Sequence, residues 1–121
     1  MRELPPFPSL RSFLYWCSET GQHTTISEPV STCHQMTAVH RAVLENGGPV
    51  LKFDQPLIEG QTPSDIPVIT NLFGTTSRVA AGLGITLNKL DDLGAFLAAL
   101  RAPTPPDGLR DALSRWPMLE A

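Results

Sequence analysis

The stretch from His23 to Asp54 constrains the fold more than any other part of the chain. "HTTIS", His23 to Ser27, is short and β-branched, and Pro29 ends it, which predicts a strand. "PVLKFD", Pro49 to Asp54, predicts a second. Between them, Ser31 or Thr32 can cap a helix running through Glu45, with Met36, Val39, Val43 and Leu44 on one apolar stripe. Asn46, Gly47 and Gly48 close that helix. A strand, a crossover helix and a returning strand place the two strands parallel with a right-handed connection. The chain is therefore expected to be α/β.

The flanking segments extend this unit. Ser9 is an N-cap for a helix carrying Leu10, Phe13, Leu14 and Cys17 at helical spacing, and Gly21 supplies its stop. Gln55 to Ile66 is rich in Pro, Gly and Asp and reads as a loop. "PVITN", Pro67 to Asn71, predicts a third strand that returns beside the second. Thr75 or Thr76 caps a short helix ending at Gly82 or Gly84. Thr86 caps a longer helix whose expected buried face is Leu87, Leu90, Leu93, Phe96, Leu97 and Leu100. Residues 102–108 form a Pro-rich linker before a last short helix, "LRDALSRW". The expected architecture is a small three-stranded mixed sheet with a β-α-β unit and about five packed helices. Residues 1–8 would be an extension, 9–101 the α/β domain, and 102–121 the linker and final helix.

Charge and composition exclude several functions. The net charge is −3 with no basic cluster, which argues against nucleic acid and against a polybasic membrane patch. The longest apolar run is far short of the roughly 18 residues that span a bilayer. "MRELPPFPSL" lacks the apolar core of a secretory signal, so a cytoplasmic location is expected. Cys17 and Cys33 have no CxxC spacing and are expected to be free thiols.

One turn invites a functional reading. In "NLFGTTSRVAAGLG", Gly74 permits a tight turn or positive φ, and Thr75, Thr76 and Ser77 sit at a helix start that favours an anion. Arg78 could add a bidentate contact to phosphate or carboxylate. The spacing is not that of a P-loop. The other reading is a capped helix whose arginine is solvated or paired internally. Cys33, His34 and His40 are poor candidates for zinc, because residues 34 and 40 fall on different faces of one helix. Asp91 and Asp92 diverge on their helix, while Asp107 and Asp111 have Arg110 and Arg115 for local ion pairs. Trp16 and Trp116 read as packing residues, and Cys17 as a small hydrophobe. No nucleophile triad or acid–base pair is visible.

Three runs, "EPVSTCHQMTAVHRAVLENGGPVLKFDQP", "IPVITNLFGTTSRVAAGLG" and "AFLAALRAPTPPDGLRDAL", together resemble the N-terminal segment of the UbiD-type decarboxylases. The opening helix "LRSFLYWCSETGQ" is similar as well. Gln35 and Ala38 stand where the family pattern carries carboxylates. The resemblance implies a family of carboxy-lyases that use prenylated FMN and a divalent metal on aromatic or unsaturated acids. It also implies that flavin, metal and catalytic residues lie on later segments, so that no catalytic, cofactor or metal residue is expected in this chain. The expected role is a non-catalytic scaffold for a flavin-binding domain, in cis or in trans. Its expected partners are a UbiD-type catalytic subunit or further copies of itself. The alternative is a small binding or regulatory module holding an anion at the Asn71–Arg78 turn, with Gly74, Thr75, Thr76, Ser77 and Arg78 as the contacts.

Overall fold

The computed structural model describes residues 6–101. The chain falls into two compact units, residues 1–87 and 88–121. Within the first, α1 (Leu10–Glu19) is followed by β1 (His23–Ile26), β2 (Val30–Ser31), α2 (Gln35–Glu45) and β3 (Val50–Phe53). Then come β4 (Pro56–Ile58), β5 (Thr62–Pro63), β6 (Val68–Thr70) and α3 (Thr76–Gly82). A 3₁₀ turn, Leu87–Lys89, leads to α4 (Leu90–Arg101) in the second unit. The expected helix at 109–116 and the linker before it lie outside the described residues, as do Trp116 and the 107–115 charges.

The helix ends form for reasons visible in the chain. Ser9 accepts the Ser12 N–H, and the Ser12 side chain caps the Ser9 N–H in return, a reciprocal capping box. At the other end of α1, Gly21 takes φ +70°; its N–H donates to Ser18, and Gln22 N–H donates to Cys17. This is a Schellman stop. Gly47, at φ +61°, repeats it after α2, with Gly47 N–H to Leu44 and Gly48 N–H to Val43. The start of α2 differs from expectation. Neither Ser31 nor Thr32 caps it; the N-cap is His34, at φ +64°, with no side-chain cap. Ser31 is in β2, where its hydroxyl accepts the Cys33 N–H. Gln35 reaches back to accept the Ser31 N–H at 2.9 Å.

The main sheet has the order β1-β3-β6. β1 and β3 are parallel across the α2 crossover, with His23 opposite Val50 and Ile26 opposite Phe53. β6 returns antiparallel to β3, with Leu51 opposite Thr70. A second small sheet, β2-β4-β5, takes β4 and β5 from the 55–66 segment that the sequence suggests is loop. β2 and β4 pair in parallel, and β4 and β5 form a hairpin turning through Glu59 and Gly60, both at positive φ.

β3 is central and contributes to two cores because its side chains alternate. Leu51 and Phe53 join Val30 and Met36, with Val39 and Val43 of α2 packed against them. Val50 points the other way, onto Phe13 and Cys17 of α1. Phe7, Phe13 and Trp16 cluster there, with Phe13 and Trp16 stacked at 5.7 Å between ring centroids. Several apolar positions expected to be buried are not. Leu44 leaves the α2 stripe and is 42% exposed. In α4 no residue is buried, and Leu97 and Leu100 are each more than half exposed.

Both cysteines are free, Cys17 fully buried and Cys33 exposed. Burial pushes the Cys17 thiol up from its ordinary value, and the nearby Arg78 charge opposes this more weakly. A thiol reagent is expected to titrate Cys33 in the folded chain and Cys17 only after denaturant; two fast equivalents without denaturant would contradict the packing. Above the ordinary thiol value of 9.0, the unfolded chain loses a proton that the folded chain keeps. Stability should therefore fall as pH rises there, by up to about 1.4 kcal/mol per pH unit, and Cys17→Ala should remove that slope.

Candidate functional site

The Asn71–Arg78 turn begins where β6 ends. Asn71 takes φ +59°, a left-handed conformation that asparagine tolerates better than most residues. Positive φ in this turn belongs to Asn71, not to Gly74, whose role is spatial. The Asn71 side-chain amide donates to the Gly48 carbonyl at 3.0 Å and to the Pro49 carbonyl at 2.8 Å. It thereby ties the turn to the entrance of β3.

Thr75 is the N-cap of α3, and its hydroxyl accepts the Arg78 N–H at 3.3 Å. The Thr75 and Ser77 hydroxyls lie 3.2 Å apart. Thr76 and Ser77 are exposed, while Gly74 and Thr75 are half-buried. α3 then carries Arg78 inward, to 1% exposure. Its Nε donates to the Leu72 carbonyl at 3.1 Å. Its Nη2 donates to the carbonyls of Gly48 and Asn71, each at 3.0 Å. The fork is thus paired internally, with backbone rather than with a carboxylate. Among the described residues the ion pairs are Arg41–Glu45 and Lys52–Asp54, and neither involves Arg78. Desolvation pulls the Arg78 pKa below its ordinary value, with the Cys17 sulfur opposing.

This arrangement forms a lock. Asn71 and Arg78 converge on one acceptor, the Gly48 carbonyl, and hold the turn against β3 from two sides. A shallow depression of about 250 Å³ lies beside them, lined by Gly47, Gly48, Thr75, Ser77 and Arg78 among others. The structure does not bring the other candidates together. His34 sits exposed at the start of α2, and His40 is half-buried within it. Among the described residues no three His, Cys, Asp or Glu side chains converge as metal ligands would. No described helix is long and apolar enough to cross a membrane.

Against known families, residues 14–97 match the 3-octaprenyl-4-hydroxybenzoate carboxy-lyase N-terminal domain. The chain belongs to this family. The matched segment runs from within α1 to within α4, so it takes in the whole β1-β3-β6 sheet and the Asn71–Arg78 lock of this carboxy-lyase domain. The sequence marks Arg78, but not Asn71, as a functional group. Asn71 carried one signal, an asparagine placed between a strand and a Gly-containing turn, where left-handed backbone is common.

Proposed function

We propose that this chain is the non-catalytic N-terminal domain, or a small subunit, of a prenylated-FMN-dependent decarboxylase of aromatic or unsaturated acids. In this role it is a cytoplasmic scaffold on which the flavin-binding domain packs, in cis or in trans. The observation that carries the reading is the internal use of the turn's polar groups, in a domain that matches a carboxy-lyase N-terminal segment. Arg78 and the Asn71 amide already serve Gly48, Pro49, Asn71 and Leu72. Neither the depression beside Arg78 nor the groove between α2 and residues 69–74 favours a flavin. The depression beside Arg78 is smaller than the roughly 300–1,000 Å³ of ordinary cofactor pockets. The larger groove, between α2 and residues 69–74, has no Lys or Arg for a phosphate. Exposed Tyr15, Ile66 and Phe73, at 68%, 75% and 57%, supply apolar surface for a partner or for self-association.

The test is co-expression of this chain with the flavin-binding part of a carboxy-lyase of the same family, followed by co-purification and a decarboxylation assay with prenylated FMN. The pair should associate and turn over, and the chain alone should show no turnover. Turnover or flavin retention by the isolated chain would overturn the reading, as would failure to associate in any stoichiometry.

A second reading has one observation in its favour: a buried cation without a carboxylate lines the depression that Thr75 and Ser77 also border. In that reading the turn holds an anion. Phosphate titrated into the chain should then shift the Ser77 and Gly48 amides saturably, and less so in Ser77→Ala. Linear or absent shifts would remove it.

A further inference from the structure

Arg78 does not spend its whole guanidinium inside the fold. The Nε proton goes to the Leu72 carbonyl, and Nη2 serves Gly48 and Asn71. The two remaining protons, on Nη1, find no acceptor among the described residues. Nη1 is not sealed off either. The fully enclosed side-chain polar atoms without a partner are His40 Nδ1, Thr70 Oγ1 and Asn71 Oδ1, and Nη1 is not among them. Arg78 lines the depression of about 250 Å³ between the ends of α1 and α2 and the start of α3, so its unspent amino group opens there.

The rest of the lining narrows what can meet Nη1. The Thr75 and Ser77 hydroxyls are 3.2 Å apart, and whichever donates to the other, one hydroxyl proton is left over. No Asp or Glu lines the depression, so the Arg78 charge is unanswered on this side. The ends of α1 and α2 bring little opposing potential. Their last carbonyls are tied back, Ser18 and Cys17 by the Gly21 and Gln22 N–H groups, Leu44 and Val43 by those of Gly47 and Gly48. Water would satisfy the Nη1 protons but not the buried charge. A carboxylate does both, with one oxygen on Nη1 and the other on the spare hydroxyl. Phosphate would bring a second charge, and no second Lys or Arg lines the depression to meet it.

We propose that Arg78 Nη1 and the Thr75–Ser77 hydroxyl pair form a socket for an acidic side chain, Asp or Glu, of the polypeptide that packs on this domain. A lone acid is held weakly by one such contact. The same carboxylate on a partner already touching the domain is present at high effective concentration and fixes the register of packing. That the partner is the flavin-binding part of the carboxy-lyase rests on the proposed function. The socket's chemistry does not, and it is tested on this chain alone, so either idea can fail without the other.

The probe is N-acetylglutamate N-methylamide, titrated into the isotopically labelled 121-residue chain and followed by NMR. Saturable shifts are expected at the Arg78 side-chain N–H and the Ser77 amide, weakening with added salt. The uncharged glutamine analogue should bind about fivefold more weakly or worse. Ser77→Glu supplies a carboxylate from within the depression and should weaken the probe about tenfold. Thr76→Glu is its control: the neighbouring residue is exposed and does not line the depression, so affinity should stay within about twofold. Neither variant touches the three internal Arg78 bonds. Equal shifts with the glutamine analogue, or unchanged affinity in Ser77→Glu, would overturn the socket. Inorganic phosphate binding more tightly than the glutamate probe would overturn a side-chain occupant in favour of a free anion.

Discussion

Arg78→Ala lowers the unfolding free energy by about 4 kcal/mol, the largest effect expected of any single change in the turn. The argument starts from burial. A guanidinium at 1% exposure has lost its water, and its three hydrogen bonds go to the carbonyls of Leu72, Gly48 and Asn71. Hydrogen bonds to a charged group are worth about 1.5–3 kcal/mol each, and relief of the buried charge offsets part of the loss. The truncated site also leaves a cavity against Cys17 and the α1 core. Small domains have roughly 5–15 kcal/mol in all, so the variant should be partly unfolded at moderate urea. Arg78→Lys should recover less than half, since one ammonium cannot reproduce the Nε and Nη2 positions. Urea denaturation measures both. An Arg78→Ala unfolding free energy within about 1 kcal/mol of the parent, by linear extrapolation, would show that the carbonyl cage contributes little.

That dependence explains what the residues reveal when read in order and what they hide. The β1-α2-β3 unit, the antiparallel return of β6, and the stops at Gly21 and Gly47 are legible because each rests on local chemistry: a β-branched run, an apolar stripe, a glycine after a helix. The second sheet is not legible. Its strands are two or three residues long, and Pro56 and Pro63 sit inside them, so "QPLIEGQTPSD" has the composition of a loop. Pairing between β2 and β4, 26 residues apart at Val30 and Pro56, supplies what local preference does not. The start of α2 misleads for a related reason. Ser31 is a good cap in isolation, but sheet pairing claims it first, and the helix begins at His34 instead.

The site divides the same way. Thr75 as a cap and Arg78 as the turn's cation are visible in "GTTSR". Whether the arginine faces solvent or core is decided by the Gly48 carbonyl, 30 residues away, and no spacing rule reports it. The groove was wholly hidden. Met36, Val39, Val43 and Leu44 share a stripe, yet only the first three pack against the core, and Leu44 turns out to form the groove's rim instead.

Gly74→Ala should cost about 3 kcal/mol, and the reason is space rather than backbone conformation. A Cβ built at Gly74 would overlap Asn71 Oδ1 and approach its Cγ at 2.7 Å. Leu44 Cδ1 would stand 3.0 Å away. The Asn71 side chain cannot step aside cheaply, because its amide holds the Gly48 and Pro49 carbonyls. Moving it breaks both bonds and loosens the acceptor that Arg78 shares. Gly94→Ala is the contrast. An added Cβ there meets nothing within 4 Å, and α4 should gain roughly 0.5–1 kcal/mol of helix preference. The decisive experiment is a double-mutant cycle. Asn71→Gly tolerates φ +59° and removes the obstructing side chain, so Gly74→Ala on that background should cost less than about 1 kcal/mol. If the cost stays near its full value without Asn71, the glycine is required by something other than the lock, and the turn is held together differently from the way its hydrogen bonds indicate.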